Sequence, residues 1–130
     1  MKLNHLNLPV GNVKESASFL TKYFGLEPFA VEPNDTIALL RDDDGMIVNI
    51  SHFGKANAVA YPAAFHIGFM QESEARVNEI NAQLKEDGFD VGSPKRFHWA
   101  WTFYLKAPGG FLVEVFHQPG ATEGFVAGSF

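Results

Sequence analysis

The chain contains no cysteine, which removes disulfides, thiolate metal ligands and thiol nucleophiles together. Any metal ion would have to sit on histidine and carboxylate. Positive charge is scarce as well: 10 Lys and Arg stand against 15 Asp and Glu, for a formal net charge of -5. The basic residues are scattered, whereas neutralising phosphates requires a basic face, so no nucleic-acid partner is expected. Long apolar runs are also missing. No stretch approaches the roughly 20 residues that cross a bilayer. The opening MKLNHLNLPV is broken by two Asn and a His, unlike the unbroken apolar core of a signal peptide. No membrane partner is expected, and a cytoplasmic location follows by default.

What is present is a globular balance, with 46% apolar and 19% charged residues in a chain of 130. That length suits one ordinary domain with its own core. The 13 Phe, against 2 Trp and 3 Tyr, suggest a large aromatic interior or cavity.

The most informative feature is an internal repeat, because a duplicated unit determines the architecture. One half runs LNHLNLPV, a helical stretch after Asn12, Gly25, then short strands ending in DDGMIVNI. The other runs AFHIGFM, a helical stretch after Ser73, Gly88, then strands ending in PGGFLVEV. His5 to Gly25 is 20 positions and His66 to Gly88 is 22; Gly45 to Asn49 and Gly110 to Glu114 are 4 each. The expected modules are residues 1 to about 52 and about 63 to 118. Between them, 53–62 reads as a linker, and from Pro119 onward the chain reads as a tail, either frayed or packed on a partner subunit.

Local chemistry supports the repeat. Asn12 with Glu15 has the spacing of a capping box, Val13, Ala17, Leu20 and Phe24 follow at helical intervals, and Gly25 stops the helix. Ser73 is a matching N-cap, with Val77, Ile80 and Leu84 as the buried stripe and Gly88 as the stop. Turns are expected at Pro33-Asn34-Asp35, Asp42 to Gly45 and Pro108-Gly109-Gly110. The flanking segments alternate with a period of two. One face would carry Leu6, Leu8, Val48, Ile50, Ile67, Phe69, Val113 and Val115 under a helix; the other would carry His5, Asn7, Asn49, Ser51, His66, Gly68, Leu112 and Glu114.

Three of those residues can ligate a metal. His5 and His66 occupy the same slot in the two halves, and Glu114 occupies the slot matched by Asn49. Two neutral imidazoles and one carboxylate make a facial triad, which holds a divalent ion and leaves positions open for substrate. Taken singly, a strand His is more often a satisfied core or rim residue and a strand Glu more often points at water. The matched slots argue for the ion, as does the apolar company of Glu114 (Phe111, Leu112, Val113, Val115, Phe116), where an unpaired carboxylate would be costly. His52 and His117 fall on the far face and read as structural or exposed. Asp42 to Asp44 lacks the spaced ligands of a calcium loop.

At these residues, NHLNLPV, FHIGFM and FYLKAPGGFLVE, the sequence resembles the vicinal oxygen chelate superfamily, which includes glyoxalase I, extradiol dioxygenases, fosfomycin thiol transferases and bleomycin-binding resistance proteins. The resemblance covers residues 1 to about 118. It implies an α+β fold of two βαβββ modules forming a curled mixed sheet around a cavity, often as a homodimer, with one divalent ion such as Fe(II), Mn(II), Ni(II) or Zn(II) on His5, His66 and Glu114. Glyoxalase I of that family carries a fourth ligand, a glutamate, where this chain has Asn49. An amide is a poorer ligand and cannot act as the carboxylate base of that reaction, so a glyoxalase-type isomerase is disfavoured.

Three-ligand sites are what the dioxygenases and the transferases look like, and Tyr104 sits where both use a tyrosine. Departures exist for each. Met46 and Lys95 stand where dioxygenases place histidines, with His98 only nearby; Asn7 and Glu123 stand where the transferases use Thr and Arg. The expectation is a metal-dependent enzyme acting on a small substrate through vicinal or enolic oxygens, most like a dioxygenase or lyase, with Tyr104 and His98 handling protons. Asn7, Asn49, Trp99, Trp101, Phe103 and Met70 are the expected substrate contacts, although strand aromatics are more often ordinary core. The rival is a non-catalytic drug-binding protein, to which net acidity and abundant aromatics are suited.

Overall fold

A computed structural model describes residues 1–54 and 59–119 of the chain. It is an α+β protein with the element order β1 (His5–Pro9), α1 (Val13–Phe24), β2 (Glu27–Pro28), β3 (Ile37–Arg41), β4 (Ile47–Ser51), β5 (His66–Met70), α2 (Glu74–Glu86), β6 (Lys95–Phe97), β7 (Ala100–Lys106) and β8 (Leu112–His117). The repeat of strand, helix and three strands is therefore present twice. The strands form two mixed sheets of four, ordered β1-β4-β3-β2 and β5-β8-β7-β6. In each, the outer first strand pairs in parallel with the last and the other pairs are antiparallel. The tail from Gly120, including Glu123, and residues 55–58 of the linker lie outside the described residues.

The described residues divide into two compact units, the first within Met1–Ala63 with Ala107–Phe111, the second within Ala64–Lys106 with residues 112–119. In the first, Asn12 caps α1 by accepting the Glu15 amide at 3.0 Å, and Gly25 closes it in the left-handed region at φ 69. A glycine adopts that conformation without steric cost. The helix lays Val13, Ala17, Phe19 and Leu20 against Ala38, Leu40, Val48 and Ile50 of β3 and β4, all buried. The Asn34 side chain accepts from the Thr36 and Ile37 amides, and Asp42 accepts from Asp44 and Met46. Those two turns are where the sequence placed them. Residues 107–111 pack here too, and Gly109 is close enough to Val10, Ser16 and Phe111 that no β-carbon would fit.

The second unit repeats the pattern. Ser73 accepts the Arg76 amide at 3.1 Å, and Val77, Ile80 and Leu84 of α2 cover Phe103, Leu105, Val113 and Val115 of β7 and β8. Of the eight residues expected under a helix, Leu8, Val48, Ile50, Val113 and Val115 are buried, whereas Leu6, Ile67 and Phe69 are half-buried. The three half-buried residues all lie on β1 and β5, the outer strands of their sheets. His52 and His117 are tethers that match between units. His52 Nδ1 lies 2.9 Å from the Val10 carbonyl and His117 Nδ1 2.9 Å from that of Gln71, tying each β4 or β8 end to the segment leaving β1 or β5.

Candidate metal and substrate site

The central strand pair of the second unit assembles the site. Gly68 of β5 is opposite Glu114 of β8, and Tyr104 of β7 is opposite the same Glu114 on its other side. Directly opposed residues share a face, so β8 presents its carboxylate between a glycine and a phenol. His66 is two positions before Gly68 on that face. Its Nε2 is 3.6 Å from Glu114 Oε1, and its ring meets that of Tyr104 edge to face with centroids 5.6 Å apart.

The His66 ring is oriented from behind, where Nδ1 lies 3.0 Å from the Ala64 carbonyl. A carbonyl can only accept, so Nδ1 carries the proton and, in the neutral ring, Nε2 turns its lone pair toward Glu114. A backbone acceptor on the far nitrogen is the usual support of a metal-bound histidine. The donor set, one imidazole nitrogen and one carboxylate oxygen, is of the kind a divalent ion takes. Glu114 is mostly covered, its side chain 17% exposed, and Oε2 accepts a 2.8 Å hydrogen bond from the buried hydroxyl of Thr102. Sequence reasoning did not single out Thr102. The signal was present, since a threonine two positions before Tyr104 on an apolar strand must share its face.

Burial raises the Tyr104 pKa above the ordinary tyrosine value, and the negative charge of Glu114 and a hydrogen bond to it act in the same direction. The phenol therefore stays protonated through the neutral range and is available as a donor. Gly68 keeps the space beside the carboxylate open: a β-carbon there would stand 3.1 Å from Phe116 Cε1 and 3.9 Å from Glu114 Oε1.

These residues open onto a cavity of about 500 Å³, lined by His66, Phe97, His98, Tyr104, Glu114 and Phe116 among others. At its rim, β6 and β7 join through a two-residue turn, His98-Trp99, with Phe97 paired to Ala100. Both turn residues have positive φ, 48 and 63, as a type I′ hairpin turn requires, and neither is the Asn or Gly that tolerates it. The His98 ring packs against Phe97 with centroids 4.0 Å apart, while Trp99 is 59% exposed.

The other candidates are placed as follows. Met70 lies on the His66 side of β5, opposite Phe116, and is exposed. Trp101 and Phe103 pair with His117 and Val115, which puts them on the face covered by α2. Trp101 donates from Nε1 to Asn78 of that helix at 2.8 Å, and Phe103 is core. Alternation along β7 dictates this, since neither can share a face with Tyr104. In the first unit, His5 is exposed on β1 with Nδ1 3.1 Å from Asn4 Oδ1, again leaving Nε2 unengaged by that contact. Asn7 pairs with Asn49 across β1 and β4. Asn49 Oδ1 is the one buried side-chain polar atom among the described residues without a hydrogen-bond partner. Among those residues no three His, Asp or Glu form a group that could hold an ion, and no helix is long and apolar enough to cross a membrane.

Residues 2–115 match the family model described as the Glyoxalase/Bleomycin resistance protein/Dioxygenase superfamily. Among solved structures, a Bacillus cereus protein described as a possible glyoxalase is 49% identical, with a TM-score of 0.80 over 89% of this chain and 98% of that one. A lactoylglutathione lyase from Agrobacterium tumefaciens shares the fold at 17% identity, with a TM-score of 0.71 over 95% and 97% of the two chains. A glyoxalase/dioxygenase from Nostoc punctiforme does so at 18% identity, with a TM-score of 0.74 over 91% of each. No curated protein matches the chain.

Proposed function

The chain belongs to the Glyoxalase/Bleomycin resistance protein/Dioxygenase superfamily, and from that premise we propose a divalent-metal-dependent enzyme acting on a small substrate through vicinal or enolic oxygens. The observation that carries the reading is His66 Nε2 facing Glu114 Oε1 at 3.6 Å with its Nδ1 already committed to a backbone carbonyl. His5 is the third ligand of the proposal. Its support is the repeat, which puts it at the β1 position that His66 holds on β5. A divalent ion on these residues would polarise substrate oxygens as a Lewis acid.

The protein's own residues supply the rest. Tyr104, held protonated, donates a hydrogen bond or a proton to a substrate oxygen beside Glu114. His98 offers a second acid or base at the cavity rim, and Phe97 and Phe116 supply apolar walls for a ring or chain. With Asn49 in the slot that corresponds to Glu114, the reading favours a dioxygenase or lyase over a glyoxalase-type isomerase, because an amide cannot take up a substrate proton as a carboxylate does; Asn7, where the transferases use Thr, weighs against a thiol transferase. The assembly proposed is a homodimer.

A non-catalytic binder is the second reading, to which the net charge of -5 and the abundance of Phe are suited. A thermal-shift screen separates the two, since a ligand stabilises the state it binds. A rise in melting temperature with Fe(II), Mn(II), Ni(II) or Zn(II) supports the enzyme; a rise only with a large cationic ligand supports the binder. Oxygen uptake by Fe(II)-loaded protein given small catechols then tests the dioxygenase form, and a flat trace across catechols counts against it.

A further inference from the structure

We infer that Thr102 is a positioning residue that fixes which oxygen of Glu114 is offered to an ion; this rests on the metal site proposed above. Thr102 is fully buried on β7 and two positions from Tyr104, which makes it the diagonal neighbour of Glu114 on the same face. Its hydroxyl has one proton and two acceptors in reach, Glu114 Oε2 at 2.8 Å and the Val115 carbonyl at 3.3 Å. The nearer and charged acceptor makes the stronger bond. With Oε2 engaged from within the sheet, the carboxylate presents Oε1 alone toward His66. With one oxygen presented, Glu114 would take up one position on an ion and leave others for substrate.

The first unit supplies an internal control. By strand register, Glu114 corresponds to Asn49, Tyr104 to Leu39 and Thr102 to Ile37. Isoleucine has no hydroxyl to offer, and Asn49 Oδ1 goes without a partner. The hydroxyl accompanies the carboxylate in the unit that keeps one and is absent from the unit that does not.

The test compares Thr102→Val, which keeps the shape and removes the donor, with Thr102→Ser, which keeps the donor. Metal-free protein is titrated with Co(II) and followed by visible absorption and calorimetry, after a thermal melt has verified folding; Thr102→Ala replaces the valine variant if that one does not fold. The serine variant should match wild type in affinity and spectrum. The valine variant should bind about 10- to 100-fold more weakly, as loss of a ligand's supporting partner does, with altered band intensity from a reoriented carboxylate. Equal affinity and identical spectra for wild type and the valine variant would overturn the role of Thr102 while leaving the site intact. A wild-type protein that binds no Co(II) would overturn the site itself, and Thr102's role with it.

Discussion

The two units share a topology, and the differences that bear on the site fall on one face. Both have a capped helix over the last strands, both tether the fourth strand with a histidine to a carbonyl, and both turn into that strand with a glycine at φ near 90, Gly45 and Gly110. Across the other face the second unit carries Gly68, Thr102, Tyr104 and Glu114, where the first carries Asn7, Ile37, Leu39 and Asn49. The scaffold tolerates that divergence because alternation separates the two jobs. Odd and even positions of a strand answer to the helix and to the site independently.

The sharpest way to break the comparison is at the glycines. A β-carbon on Gly109 would fall 2.7 Å from Val10 Cγ1 and 2.8 Å from Phe111 Cε1 and Ser16 Oγ. Gly109→Ala should therefore destabilise the fold by about 1–3 kcal/mol in urea titration, the usual cost of overpacking. Gly68→Ala meets only the edge of one ring. It should leave the melt nearly unchanged while weakening ligand binding beside Glu114, a split that calorimetry reads directly.

The His98-Trp99 turn should respond in the opposite sense. Left-handed conformations cost of order 1 kcal/mol or more per non-glycine residue. The double change His98→Asn with Trp99→Gly should raise stability by about 1 kcal/mol, because it supplies the residues a type I′ turn prefers, and should lower affinity for cavity ligands. A gain in stability with affinity unchanged would show that the turn has no part in binding.

The N-caps test whether the scaffold is equally deep in both units. Asn12→Ala and Ser73→Ala each remove one acceptor from a first-turn amide and should each cost about 1 kcal/mol in chemical denaturation. A much larger cost for one would mark its unit as the less tolerant.

The smallest effect concerns pH. Burial raises the pKa of Tyr61, whose hydroxyl donates to the Pro9 carbonyl. The folded state thus holds that proton more tightly than the unfolded state does. The contribution is complete below the unfolded pKa near 10 and is lost as pH rises through the folded value. Tyr61→Phe should flatten the alkaline fall in melting temperature, and an unchanged slope would contradict the assignment.

Much of this was legible from residues alone. The repeat was readable because its marks are strong local signals: Asn12 and Ser73 before apolar stripes, Gly25 and Gly88 after them, and two glycine turns four positions before matched slots. The shared face of Tyr104 and Glu114 required only that β7 and β8 pair in register, and they are directly opposed. Three things were hidden. Strands of two and three residues, β2 and β6, are too short to show a period. The turn at His98-Trp99 carries none of the Gly, Asn or Pro that mark turns. Trp101 and Phe103 were weighed for their aromatic rings before their parity, and parity placed them under α2.

The central claim is that His66 and Glu114 hold a divalent ion together with His5. Metal content of the purified protein, measured by mass spectrometry beside His5→Ala, His66→Ala and Glu114→Ala, tests it most directly. The account predicts about one ion per chain in the wild type, near-complete loss in the His66 and Glu114 variants and marked loss in the His5 variant, with Asn49→Ala unchanged. Equal metal content in all five proteins would contradict it.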